Sequence, residues 1–257
     1  IEVYENIDGN LDGAFTMVDS TFGKINEGLV SHIEVLDINN NGKLDYLVGN
    51  KRGGLGFFTS DLTVSNNDLT IDNSDGFATE FDANEFDLNV TGSLIIENGA
   101  VVDLLGMELS FLGAGSSAID IQTGATLALD SLVITKNFSE TTFEISNGAI
   151  PALQVNNLLQ LDKGNFDLGT FNVTANGALD LSDTIGTATS TGLLYMNGGA
   201  AQAITTDGGF VYDIEIDNAN GASLSGDFGV HVLTLDAGIF DIGTSKLTSN
   251  NEIQTNG

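Results

Sequence analysis

Short alternating stretches recur along the chain, and helical periodicity is almost absent. Ile119-Asp-Ile121, Leu127-Ala-Leu129, Ile214-Glu-Ile216 and Leu233-Thr-Leu235 each set apolar residues two positions apart. Side chains two apart in an extended chain point to the same face, so each stretch predicts a half-buried strand. Asn-Gly, Asp-Gly and Gly-Gly pairs separate the stretches and read as turns. The pattern predicts an all-β protein. Its texture changes near residue 60, so the expected domains are 1–60 and 61–257.

The second region repeats itself. Leu159-Gln-Leu-Asp-Lys-Gly-Asn-Phe-Asp-Leu-Gly-Thr-Phe-Asn-Val-Thr-Ala-Asn176 matches Leu233-Thr-Leu-Asp-Ala-Gly-Ile-Phe-Asp-Ile-Gly-Thr-Ser-Lys-Leu-Thr-Ser-Asn250 at ten of 18 positions, 74 residues apart. A second marker recurs as Leu69-Thr-Ile-Asp-Asn73, Phe143-Glu-Ile-Ser-Asn147 and Ile214-Glu-Ile-Asp-Asn218. Inside each unit of ~70 residues lies a sub-repeat of roughly 20–25, the size of a β-solenoid coil. A single coil of that length cannot hide its apolar side chains, but stacked coils share one core. The sub-repeat predicts a right-handed parallel β-helix. The alternative is a row of small tandem β-sandwiches.

The first region carries a different signature: Val3-Tyr-Glu-Asn6, Phe15-Thr-Met-Val18, Phe22-Gly23, the run from Val35 to Asn50, and Gly53-Gly-Leu55. This order of strand, loop, acidic turn, apolar strand and Gly-rich turn resembles the FG-GAP/VCBS propeller repeat. The resemblance implies the terminal blade of a β-propeller over residues 1–58, with further blades upstream. The second region resembles the low-complexity stretches of surface proteins exported by the type IX system of gliding bacteria. The residues that carry this likeness are Gly198-Gly-Ala-Ala-Gln-Ala-Ile204, Ile214-Glu-Ile-Asp-Asn218, Gly221-Ala-Ser-Leu224 and Leu233-Thr-Leu-Asp-Ala-Gly238. It implies an extracellular adhesin or cell-surface fibre, with glycans or other surface proteins as partners.

Charge narrows the picture. Seven Lys and Arg face 36 Asp and Glu, a formal net charge of −29. Such a chain repels nucleic acid and anionic membranes. Cys is absent, so repeats and metal ions rather than disulfides are expected to hold the fold. No apolar run approaches the ~20 residues of a membrane span, so membrane insertion is not expected. Ile1-Glu-Val-Tyr4 already reads as a strand, and both ends are expected to continue into a larger chain.

The best chemical motif is Asp37-Ile-Asn39-Asn-Asn41-Gly42-Lys43-Leu-Asp45. Oxygen side chains stand at relative positions 1, 3, 5 and 9, and Gly42 permits the sharp turn. Asp37, Asn39, Asn41 and Asp45, with the Lys43 carbonyl, are the oxygens that Ca²⁺ takes. Position 12 is Val48 where an EF-hand has Glu, and the loop fits the shorter calcium loop of FG-GAP blades. An Asn-Gly hairpin turn is the plainer reading. Asp8-Gly-Asn10-Leu-Asp12-Gly13 starts with the same spacing but has Thr16 at position 9, so an ordinary loop is expected there, even with Asp19 at position 12.

Catalysis lacks parts. The two histidines, His32 and His231, fall in different regions, and Arg52 is the only arginine. Paired carboxylates suited to glycoside cleavage are Asp213 with Asp217, and Asp236 with Asp241. Asp162 and Asp167 hold the same repeat places as Asp236 and Asp241, which points to architecture. The aromatic residues Phe166, Phe171, Phe210, Tyr212 and Phe240 offer sugar-stacking surfaces, although the equivalence of Phe166 and Phe240 predicts a core role. The chain is therefore expected to be a non-catalytic structural or adhesive protein, with a carbohydrate-binding module and then a β-helix polysaccharide-degrading enzyme as the alternatives.

Overall fold

The computed structural model describes residues 3–5, 16–19, 32–36, 45–49, 55–58, 61–64, 68–72, 80–82, 87–146 and 152–256. Every element among them is a strand or a turn. The chain divides into two compact units, Ile1–Leu62 with Asn84–Phe86, and Thr63–Ala83 with Asp87–Gly257.

In the first unit Val3–Glu5 pairs antiparallel with Thr16–Asp19. His32–Leu36, Asp45–Gly49 and Leu55–Phe58 form an antiparallel meander. Leu36 and Asp45 are register partners, so residues 37–44 connect the two strands of a hairpin. The described strands form two separate sheets rather than one of four strands.

The second unit is a β-solenoid of about eight turns. Among its described residues, every strand pair with a defined register runs parallel, each joining one turn to the next. Three walls follow one another in every turn. Asp87–Val90 belongs to wall A, Leu94–Ile96 to wall B and residues 101–104 to wall C. Parallel pairing between segments some 20 residues apart is the opposite of what a sandwich of adjacent hairpins gives. The tandem-sandwich alternative therefore fails.

The alternating sequence explains the walls. Burial along Ser117–Ile121 runs buried, half-buried, buried, half-buried, buried. Stacked turns align the buried positions into columns. On wall A, Leu88, Leu109, Leu132, Leu159, Leu179, Ile204 and Leu224 stand in register. All seven are buried. On wall C the column is Leu153, Val173, Leu194, Ile214 and Leu233. Wall B holds Phe143 over Phe166 with ring centroids 5.0 Å apart, and Phe111 reaches Phe143 from wall A at 4.5 Å. Each such side chain contributes about 1.5–3 kcal/mol by leaving water.

The long repeat is not the stacking repeat. Leu159 lies on wall A, whereas its sequence counterpart Leu233 lies on wall C. Phe166 is fully buried on wall B, but Phe240 is only partly buried on wall A. The 74-residue unit thus ends two walls further round than whole turns would place it. This is possible because all three walls ask for the same alternation.

Corners are set by close backbone approach. A Cβ on Gly177 would lie 1.8 Å from the Asn157 carbonyl oxygen of the turn below. Ala178 N–H donates to that same oxygen at 2.8 Å, so the strand cannot back away without losing the bond. Gly199 has open space around its missing Cβ. Gly177→Ala should lower unfolding free energy by about 2 kcal/mol or more, an overpacking cost. Gly199→Ala should stay within about 0.5 kcal/mol of the parent. Urea denaturation of the two variants checks the pair.

Candidate functional site

The polar residues singled out in the sequence fall into three groups. Asp37, Asn39, Asn41 and Lys43 lie outside the described residues, as do Asp8, Asn10 and Asp12. Asp45 opens a strand and is paired with Leu36, and its side chain is also outside the description. Thr16 and Asp19 lie in one strand, paired with Glu5 and Val3. His32 is exposed, with its Nε2 3.3 Å from Glu34 Oε1. His231 sits in the solenoid with Nδ1 3.3 Å from Asp213 Oδ1.

The repeated acids do structural work. Asp167 Oδ1 accepts from Gly169 N–H at 2.9 Å, and Asp241 Oδ1 accepts from Gly243 N–H at 2.9 Å. Both glycines have positive φ, 55° and 51°. The shared Phe-Asp-x-Gly-Thr motif is therefore one corner turn used at two different corners. Asp162 accepts from Thr135 Oγ1 at 2.9 Å and from Gln160 Nε2 at 2.7 Å. Asp236 accepts from Asn256 Nδ2. Glu215 gathers with Asp217 and Asp236: burial first, then the charges of Asp236 and Asp217, holds its carboxyl above the ordinary range. A hydrogen bond with Asp72, more than charge repulsion or burial, likewise raises Glu97. Among the described residues no three His, Cys, Asp or Glu side chains come together as a metal site.

One cleft combines several kinds of polar group with a ring. It holds about 340 Å³ and is lined by Ser139, Glu140, Asn165, Asp183, Thr184, Gly186, Thr187 and Tyr212. Wall B supplies the floor. Thr142, Asn165, Thr184 and Phe210 follow one another in register along its outer side. The rims are corner loops, residues 137–141 on one side and 186–193 on the other. The second loop is pinned, since Ser190 Oγ donates to Asp167 at 2.6 Å and Thr191 N–H donates to Gly169 O at 2.7 Å. Asp183 is fixed as well. Its Oδ2 accepts from Gly164 N–H at 3.1 Å and its Oδ1 from Thr184 N–H at 3.0 Å. Tyr212 meets Phe210 edge-on at 5.2 Å and His231 at 5.7 Å. Asn165 Oδ1 is shielded and takes no protein hydrogen bond.

Of the aromatic candidates, Tyr212 lines the cleft, Phe210 packs edge-on against Tyr212, Phe166 is core, and Phe171 and Phe240 pack against the core from its edge. The sequence gives no hint of the cleft as a unit, because its lining comes from four successive turns.

At the root of the first rim lies a buried lysine. Lys136 is only 1% exposed. Its Nζ donates to the Leu112 carbonyl at 3.1 Å and to Ser117 Oγ. Burial lowers its pKa to about 8 from an ordinary value near 10.5. Below pH 8 folded and unfolded chains both carry the proton, and the full penalty of burying the ammonium applies. Between 8 and 10.5 only the unfolded chain keeps it, so the folded state gains stability as pH rises. Urea midpoints of the parent should therefore rise from pH 7 to pH 10 relative to those of Lys136→Met, which loses this slope. Parallel midpoints would show that Lys136 is not held buried.

No family model, curated protein or solved structure matches the chain.

Proposed function

We propose that the chain is a non-catalytic structural and adhesive segment of a large secreted bacterial cell-surface protein. In this reading residues 1–60 are the terminal FG-GAP/VCBS-type blade of a propeller. Residues 61–257 are a right-handed parallel β-helix, the hand that parallel crossovers almost always take. Export by a type IX route and exposure on the cell surface go with it.

The observation that supports the reading is how the solenoid uses its polar side chains. Asp162, Asp167, Asp183, Asn218, Gln202 and Asn176 all bond within or between turns. Acids that pair in sequence as Asp236 and Asp241 serve separate corners. A stack stapled in this way is a stiff spacer, which suits presentation of a surface away from a cell. The high negative charge keeps such spacers apart and soluble.

Calcium is the proposed stabiliser of the first unit. The ligands are Asp37, Asn39, Asn41, the Lys43 carbonyl and Asp45, on the connection between two paired strands. Two Asp carboxylates supply the charge and the remaining oxygens are neutral, which places affinity in the range of extracellular modules, about 10⁻⁴–10⁻³ M. Excess EDTA should make residues 1–60 sensitive to protease while residues 61–257 keep their resistance, and millimolar CaCl₂ should restore the first unit. Asp37→Ala should reproduce the EDTA pattern without chelator. An unchanged digestion pattern in both experiments would remove calcium from the proposal.

A further inference from the structure

We infer that the cleft over wall B is a binding site for a neutral saccharide. The inference deepens the adhesive reading above by naming the ligand class and the residues that hold it.

The lining fits sugar chemistry in detail. A pyranose carries hydroxyls that both donate and accept, around an apolar C–H face. The cleft offers hydroxyls from Ser139, Thr184 and Thr187, the Asn165 amide, and acceptor carboxylates from Glu140 and Asp183. Its one aromatic lining residue among those described is Tyr212, a ring with a polar tip that suits a surface both wet and apolar. A volume of about 340 Å³ lies at the small end of ligand sites. Beside the cleft, on the Ser139 rim, Phe138 is 56% exposed and gives a second ring for a longer chain.

The site is also held in place before any ligand arrives. Asp183 is locked by two backbone N–H groups, the 186–193 rim is tied down through Asp167, and Tyr212 is braced by Phe210 and His231. Gly186 backs the tyrosine closely: a Cβ there would lie 3.0 Å from Tyr212 Cβ. Fixed groups lose little freedom on binding, which favours affinity for a flexible, well-hydrated ligand.

Charge decides between sugar classes. Among the described residues no Lys or Arg lines the cleft, two carboxylates do, and the chain carries −29 overall. A uronic-acid or sulfated polymer would meet repulsion with no compensating cation. A neutral polysaccharide meets no such objection. The in-register series Asn165, Thr184 and Phe210 runs along the solenoid axis, so a glycan chain can lie lengthwise across successive turns.

Affinity electrophoresis of the full 257-residue chain tests this. The gels contain cellulose derivatives, starch, mannan or galactan as neutral probes, and alginate or pectate as polyanions, each with CaCl₂ and with EDTA. At least one neutral polymer should retard the native chain, and neither polyanion should. Tyr212→Ala and Glu140→Gln should each weaken that retardation, the first about tenfold or more. Glu140 is exposed, so Glu140→Gln should melt at the native temperature and is a safe second probe of the same cleft, whatever stability the loss of the packed Tyr212 ring costs. Retardation that disappears in EDTA, and is lost in Asp37→Ala but not in Tyr212→Ala, would put the ligand on the acidic loop and overturn the inference. Absence of retardation by every neutral polymer would overturn it too, while leaving the spacer reading and its calcium test untouched.

Discussion

Each turn of the solenoid can exist only because the next one lies directly upon it. The parallel ladder between turns is the constraint from which the rest of the structure follows. A strand of three to five residues has too few bonds and too little buried surface to persist alone. Stacked, its backbone groups are shared upward and downward, and its inward side chains join columns that run the length of the core. The corners must then let one backbone pass within bonding distance of another. Gly177 against Asn157 O and Gly238 against Asn218 O show how small the tolerance is, with Cβ positions 1.8 and 1.9 Å from those oxygens.

Polar groups inside the stack obey the same constraint. Gln202 is buried, and its amide is fully used. Oε1 accepts from Gly198 N–H at 3.0 Å and Asn218 Nδ2 at 2.8 Å, while Nε2 donates to Ala175 O at 2.8 Å and Gly177 O at 2.7 Å. One side chain so ties three turns at a corner. A buried amide with any of these bonds missing would cost stability rather than add it. Lys136 is the less comfortable case. Its ammonium is paired with a carbonyl and a hydroxyl and, among the described residues, with no acid, and burial shifts its proton equilibrium accordingly.

Much of the fold was legible in the sequence. Period-two alternation marked strands such as Ser117–Ile121, Gly and Asn marked corners, and the sub-repeat of roughly 20–25 residues matched one turn. The 74-residue repeat was misleading in one respect. It records a shared corner turn, Phe166-Asp-Leu-Gly-Thr170 and Phe240-Asp-Ile-Gly-Thr244, and not a shared wall. Periodicity reports which residues face inward but cannot say which wall they face from. The cleft was illegible for a related reason: Glu140, Asp183 and Tyr212 are distant in sequence and meet only through register. Lys136 gave no signal either, since a lone lysine after an apolar strand ordinarily reaches solvent.

The central claim is that successive segments of the second unit stack in parallel register. The chain has no cysteine, so introduced pairs report without background. Gln160 and Asp180 are register partners on the outer side of wall A. Asp162 and Asp236 are repeat equivalents on different walls. The double variant Gln160→Cys with Asp180→Cys should close an intramolecular disulfide under mild oxidation, because adjacent in-register strands fall within disulfide reach. Asp162→Cys with Asp236→Cys should remain reduced. Closure of the second pair and not the first would contradict the stacked solenoid.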